Sequence, residues 1–181
     1  MSKRNGFVRA FARGYTLFFS ITALLTAEGA FAGEKEPLAV IELGVGSEWG
    51  LNGTGASFGP SASVELTPIP NWLVVEPGVQ TLFHHGQTEW DTSLIFKKPF
   101  DILPTVEFEP GVGPVWMHTA GSGKTIVGAE FVAEFMVWPT KDRKFGWFIE
   151  PSYSYSFGKD HEQSLGVNVG LLVPLYAGGK P

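Results

Sequence analysis

The chain has 181 residues, with 13 basic and 18 acidic side chains, a formal net charge of −5 and no cysteine. The lack of cysteine excludes disulfides, thiolate metal sites and thiol nucleophiles. The acidic balance argues against nucleic acids and anionic lipids as partners, because both require a basic surface.

Residues 1–32 have the pattern of a secretory signal peptide. Basic residues precede an apolar run from Tyr15 to Leu25, and Ala30 and Ala32 are the small residues that signal peptidase reads. The alternative is a membrane-anchoring helix, but the run is shorter than the roughly 20 apolar residues that spanning a bilayer requires. We predict cleavage before Gly33, which leaves residues 33–181 as one domain. The segment contains four of the 13 basic and one of the 18 acidic residues, so the domain has a net charge of −8.

The rest of the chain alternates between apolar and polar or small residues with a period of two, which predicts β-strands and not helices. In the second segment, Phe58 and Val64 share one face, while Ser57 and Ser63 share the other. Eight strands are predicted, at residues 38–48, 55–66, 72–83, 88–97, 105–118, 125–138, 145–157 and 164–175.

Short connections predict that consecutive strands pair as an antiparallel meander, and eight strands can close into a barrel without free edges. A motif of the type Glu-Pro-Gly recurs once per hairpin, on each odd-numbered strand. With both chain ends on the periplasmic side, the connections fall into two sets. The predicted periplasmic connections are 67–71, 98–102 and 139–144, and the predicted extracellular ones are 49–54, 84–87, 119–124 and 158–163.

Alternation alone is consistent with two kinds of barrel. One is soluble, with the apolar face inside, and the other is a membrane barrel with that face outside. The second is favoured because the polar face is rich in Gly, Ser and Glu, with Lys97 nearly its only lysine or arginine. Strands of about 10 to 13 residues also suit a tilted crossing of the hydrocarbon. Large aromatic residues gather near both strand ends, as at membrane interfaces: Trp49, Phe83, Trp90, Trp116 and Phe157 at one rim, and Phe96, Phe100, Phe145 and Trp147 at the other.

On these features, residues 38–176 resemble the small eight-stranded outer-membrane β-barrel proteins of Gram-negative bacteria, the group that includes the transmembrane domain of outer-membrane protein A. The last strand, Ser164 to Tyr176, ends on an aromatic residue as such proteins do, although residues 177–181 depart from the pattern. The resemblance implies an all-β, eight-stranded antiparallel up-and-down transmembrane β-barrel in the cell outer membrane. It also implies contact with outer-membrane lipid, insertion by the barrel-assembly machinery and a monomeric state.

Prolines inside the predicted strands conflict with a closed barrel, because proline cannot donate to the hydrogen-bonded ladder. We therefore expect bulges or locally missing hydrogen bonds there. The residues concerned are Pro60, Pro77, Pro110, Pro114, Pro151 and Pro174.

The glutamates of the polar face form the principal candidate site. Carboxylates this close cannot all ionise without partners, so some should hold protons and titrate as a coupled set. The functional hypothesis is a cation- or proton-binding cluster, and the structural alternative, which we favour, is a polar core of shared protons and hydrogen bonds. The cluster comprises Glu42, Glu65, Glu76, Glu107, Glu109, Glu130, Glu134 and Glu150.

Catalytic and cofactor motifs are weak. The His-x-Ser pair of lipid A deacylases is absent, and the spacing of His161, Glu162 and Ser164 does not place them on one strand face. A metal site from His84, His85 and His118 is equally weak, and residues 120–125 lack the first glycine and the following helix of a phosphate-binding loop.

We therefore predict no catalytic residue, no cofactor and no metal, and a lumen too filled for a general pore. The predicted function is a structural or interaction role in the outer membrane without enzymatic activity. The alternatives are a soluble periplasmic lipocalin-like barrel that binds a hydrophobic ligand, and a lipid A deacylase-like enzyme.

Overall fold

The computed structural model describes residues 37–53, 55–84, 86–140 and 142–176. The predicted signal peptide lies outside the described residues. Within them, no helix is long and apolar enough to cross a membrane. The strands are β1 (Ala39–Gly50), β2 (Gly55–Ile69), β3 (Leu73–His84), β4 (Gln87–Lys97), β5 (Phe100–Leu103), β6 (Val106–Thr119), β7 (Lys124–Val137), β8 (Gly146–Ser156) and β9 (Gln163–Leu175).

The strands form a closed antiparallel barrel. β1 pairs with β9 along its whole length, from Ala39 opposite Leu175 to Gly50 opposite Ser164. The other strands pair with their neighbours in chain order, and the pairing of β4 with β6 completes the ring. Because β4 and β5 both lie along β6 in one register, they act as a single interrupted strand. The predicted eight-stranded up-and-down barrel is therefore confirmed.

The connection predicted at residues 98–102 is wrong. The backbone N–H of Lys98 donates to the carbonyl oxygen of Pro110 at 3.0 Å, so the pairing with β6 continues across the gap between β4 and β5. Phe100 then lies opposite Phe108, and their rings stack with centroids 6.4 Å apart. Pro99 interrupts the strand without ending it, and the true turn is at residues 104–105.

The two ends of the barrel differ in their connections. We call the end with both termini of the described chain the turn end; its connections join β2 to β3, β5 to β6 and β7 to β8. The opposite end, the loop end, has the connections that join β1 to β2, β3 to β4, β6 to β7 and β8 to β9.

The apolar residues of the alternating pattern face outward. Val45 and Leu171 are 59% and 58% exposed, although both lie in the middle of paired strands. The aromatic residues predicted at both rims are also exposed, and Trp72 joins those at the turn end. A continuous exposed apolar surface of this kind marks contact with membrane or another apolar partner, which confirms the predicted direction of the two faces.

The prolines are accommodated without a change of register. Pro60 and Pro77 each pair continuously with one neighbouring strand, while the pairing between β2 and β3 is interrupted at both. Pro114 and Pro151 show the same one-sided interruption. Since the N–H and C=O of one residue point to the same neighbour in an antiparallel sheet, only one ladder lacks its donor. Missing ladder pairs, and not bulges, resolve the conflict at these four prolines.

An apolar plug closes the interior at the turn end, a feature that the sequence analysis did not predict. Trp138 follows β7 immediately, is 1% exposed, and its backbone N–H donates to the carbonyl oxygen of Thr105 at 2.8 Å. The side chains that pack together in this plug are Val40, Met136, Trp138, Phe148 and Leu172.

Candidate functional site

Lys97 is the central residue of the barrel interior. It ends β4 on the face that points inward, and only 1% of it is exposed. Gly111 faces it from β6, where a Cβ atom would lie 2.7 Å from Cγ of Lys97. The glycine therefore leaves the space through which the lysine side chain crosses the lumen.

Four carboxylates from four strands surround the ammonium group of Lys97. Nζ lies 3.3 Å from Oε1 of Glu65 and 3.3 Å from Oε2 of Glu150, and it makes shorter contacts with Glu76 and Glu134. All four glutamates are buried. A buried charge is tolerated only when it is paired, and this arrangement ties β2, β3, β7 and β8 to β4.

Glu42 and Glu109 extend this group. Oγ of Ser63 donates a 2.7 Å hydrogen bond to Oε2 of Glu42, and Glu109 lies opposite Glu134 in the pairing of β6 with β7. Six buried carboxyl groups thus surround one ammonium group. The excess negative charge of these carboxyl groups must be balanced by protons or by other cations.

The carboxylates alone have the geometry of a metal site, but a lysine already supplies the cation. One oxygen from each of Glu42, Glu65, Glu76 and Glu134 lies within 4.8 Å of the others, close enough to hold an ion. The ammonium group of Lys97 contacts three of these four residues. A metal ion at that position would compete with Lys97.

The other two predicted cluster residues lie apart. Glu107 accepts a 2.9 Å hydrogen bond from Nε1 of Trp138 and forms a 2.7 Å ion pair with Arg143 at the turn end. Glu130 faces inward from β7, nearer the loop end, where it lines a cavity above the Lys97 group. The structure therefore brings six of the eight glutamates together around Lys97.

Two neighbouring cavities, which share the lining residues Glu48, Met117 and Ser154, lie in the lumen above the Lys97 group. The larger, about 400 Å³, opens at the loop end. The smaller, about 50 Å³, lies deeper and reaches Glu42, Glu76 and Glu150. Further acidic residues of this upper region were not among the predicted site residues, although their inward parity indicates them: Glu48 on β1, and Glu89 and Asp91 on β4.

The residues of the enzymatic alternative are not brought together. Oγ of Ser164 donates to Glu48 inside the barrel. His161 instead contacts Tyr155, with Nδ1 of the histidine 3.0 Å from the phenolic oxygen. The serine therefore has a carboxylate as its partner and not the imidazole that would activate it.

The remaining weak motifs also lack the geometry they require. His84 lines the cavity at the loop end, whereas His118 is on the outer face near Thr125, so the barrel wall separates them. His85 lies outside the described residues. Residues 120–123 form a turn that leads into β7, so no helix N-terminus follows to hold a phosphate.

Comparisons with known proteins identify the fold. No protein-family model matches the sequence, and no curated protein matches it. The structure is similar to that of Neisserial surface protein A, with a TM-score of 0.64, 13% identity, and coverage of 76% of this chain and 97% of that chain. It is also similar to the N-terminal β-barrel domain of Pseudomonas aeruginosa OprF, with a TM-score of 0.54, 15% identity, and coverage of 75% and 98%.

A third similar structure is Ail, the attachment invasion locus protein of Yersinia pestis, crystallised in complex with the heparin analogue sucrose octasulfate. The TM-score is 0.52 at 15% identity, and the match covers 76% of this chain and 97% of that one. At these identities the likeness concerns the fold. The fold is that of the small eight-stranded outer-membrane β-barrels.

Proposed function

We propose that this protein is an outer-membrane β-barrel with a structural or interaction role and no enzymatic activity. The observation that carries the proposal is the exposed apolar band around a closed barrel, bounded by aromatic residues at both rims. A soluble barrel for a hydrophobic ligand would need these residues inside, whereas the lumen cavity is lined mainly by carboxyl, hydroxyl and amide groups, with a minority of apolar side chains such as Ile95 and Val115.

We assign the turn end to the periplasm and the loop end to the cell exterior. This assignment agrees with the prediction that both ends of the secreted chain lie on the periplasmic side. On this assignment the external connections are short, which favours a small contact surface. The loop end carries Lys124 at the start of β7 and Lys159 in a connection, but also Asp160 and Glu162. This balance does not favour a polyanion such as the ligand crystallised with Ail.

Cell fractionation tests the membrane assignment directly. The protein should appear in the outer-membrane fraction, and its mobility on a denaturing gel should change on boiling, because a closed barrel resists detergent until it is heated. A soluble periplasmic band without such a change would overturn the proposal.

Lipid A acylation tests the absence of enzymatic activity. Cells that produce the wild-type chain, His161→Ala or Ser164→Ala should have the same lipid A acylation pattern as cells without the protein. A pattern altered by the wild-type chain and restored by Ser164→Ala would support the enzymatic alternative.

A further inference from the structure

Lys98 lies on the outward face of the barrel wall, whereas its neighbour Lys97 points into the lumen. The backbone N–H of Lys98 donates to the carbonyl oxygen of Pro110, which continues the register of β4 along β6. Strand parity therefore puts Lys98 on the same face as Phe96 and Phe100, which are 44% and 47% exposed. The wall thus carries a lysine within the face that we assign to lipid.

The ammonium group of Lys98 lies at the level of the turn that joins β2 to β3. Its Nζ donates a 2.9 Å hydrogen bond to the carbonyl oxygen of Asn71, a residue of that turn with a φ of 56°. Nζ also lies 5.3 Å from the centre of the Phe100 ring. Because a lysine ammonium group has three N–H donors, it can donate further hydrogen bonds to an anion.

In the described part of the chain, no carboxylate forms an ion pair with Lys98. The other described cations at the surface of the turn end have such partners. Arg143 forms a 2.7 Å ion pair with Glu107. Lys144 forms a 2.8 Å ion pair with Asp142. The acidic charge of the whole chain therefore does not extend to this position, where a half-buried cation favours an anion from outside the chain.

An apolar ledge borders Lys98 on the β5 side. The pairing of β3 with β4 ends at Val74, opposite Lys97, whereas β5 continues along β6 as far as Leu103. Leu103 and Ile102 are 57% and 53% exposed. The ammonium group therefore lies at a step in the wall, with a turn on one side and an exposed apolar strand on the other.

We propose that this step binds an anionic phospholipid of the phosphatidylglycerol type. The inference rests on the proposed membrane function, which assigns the turn end to the periplasmic leaflet. The lipid phosphate accepts hydrogen bonds from the ammonium group of Lys98, and the acyl chains lie against Phe96 and Phe100. Lysine binds phosphate as a point charge, and a long side chain at a membrane interface holds its charge at the headgroup level. A zwitterionic lipid offers the same phosphate, but its own cation competes with the lysine.

Native mass spectrometry of the full protein purified in detergent tests the proposal. The protein is titrated with phosphatidylglycerol and, separately, with phosphatidylcholine that has the same acyl chains. The wild-type protein should bind one phosphatidylglycerol per chain, more tightly than phosphatidylcholine. Lys98→Gln should weaken the binding of phosphatidylglycerol about fivefold, the factor expected for one basic residue at an anionic membrane surface. The binding of phosphatidylcholine should change much less.

Lys159→Gln is the matched control, because it removes the same charge from an exposed position at the loop end. It should leave the affinity for both lipids unchanged. Both variants should reach the outer-membrane fraction and change mobility on boiling, so a failure of lipid binding is distinguishable from a failure of the membrane assignment.

The source of the phosphate is tested by competition. An excess of soluble glycerol phosphate should not displace phosphatidylglycerol, because it has no acyl chains to lie against the aromatic residues. Displacement would overturn the lipid as the occupant. Equal affinity for phosphatidylglycerol in the wild type and Lys98→Gln, or an equal loss in Lys159→Gln, would overturn the site.

Discussion

A Cβ atom at Gly113 would lie 1.9 Å from the carbonyl oxygen of Leu94 on the neighbouring strand. The same relationship joins Gly59 to the carbonyl oxygen of Thr81, at 1.8 Å. Each glycine directly precedes a strand proline, Pro114 or Pro60, at which the ladder is interrupted. The Gly-Pro pairs therefore let neighbouring backbones approach where the proline has no N–H to donate.

We predict that Gly113→Ala destabilises the barrel, because the added methyl group overlaps backbone that cannot rotate away. Overpacking of this kind costs about 1–3 kcal/mol. Urea unfolding of the protein in lipid vesicles measures the loss. In the control Gly158→Ala, the nearest atom is a methyl carbon of Ile126 at 3.2 Å, which can shift, so the change should be much smaller. Equal stability of the two variants would contradict the close approach.

The faces of the strands could be predicted from the sequence because side chains of a strand alternate strictly. That rule placed Glu42, Glu134 and Lys97 on one face without any knowledge of their neighbours. It also placed Val45 and Leu171 on the other, and both are exposed. Alternation depends only on local geometry, so the prediction did not require the barrel to be known.

The partners of Lys97 could not be predicted in the same way. Glu65 and Glu150 belong to β2 and β8, and their depth relative to Lys97 depends on the stagger of the closed sheet. Stagger is a property of the whole barrel and not of one strand. Trp138 has the same parity as Glu134 and Met136, so alternation places it inward, but the residues that it packs against at the turn end depend on the closed barrel.

The lipid-facing assignment predicts a depth-dependent penalty for charge. Val45 lies at the middle of β1 and Leu51 in the following connection, and they are similarly exposed, at 59% and 52%. Val45→Lys should cost about 2–4 kcal/mol in the bilayer, whereas Leu51→Lys should cost about 0–1 kcal/mol near the interface. Unfolding of both variants from vesicles measures the difference. In a soluble barrel both lysines would reach water, so two equally small effects would argue against the membrane assignment.

Trp138 should contribute mainly by filling the turn end. Trp138→Ala removes a fully buried ring and should cost about 3–5 kcal/mol. Trp138→Phe keeps an aromatic ring but loses the Nε1–H donor to Glu107, and we expect a loss nearer 1 kcal/mol from the hydrogen bond. Both are measured by urea unfolding, with the exposed Trp72→Ala as control. If Trp72→Ala lowered the free energy of unfolding as much as Trp138→Ala does, burial in the plug would not explain the effect of Trp138→Ala.

Substitution of Lys97 should reduce the stability of the barrel more than substitution of any other residue in the lumen. Lys97→Met leaves the carboxylates of Glu76 and Glu134 buried without their cation, and breaking a buried pair from one side costs about 3–5 kcal/mol. The triple variant Lys97→Met, Glu76→Gln, Glu134→Gln removes charge from both sides and should recover much of that loss. The exposed Lys159→Met should have little effect. The unfolding midpoint of each variant in vesicles gives the comparison. A triple variant no more stable than Lys97→Met would show that the lysine acts through the space it fills, since only the charge-pairing account predicts recovery when its partners are neutralised.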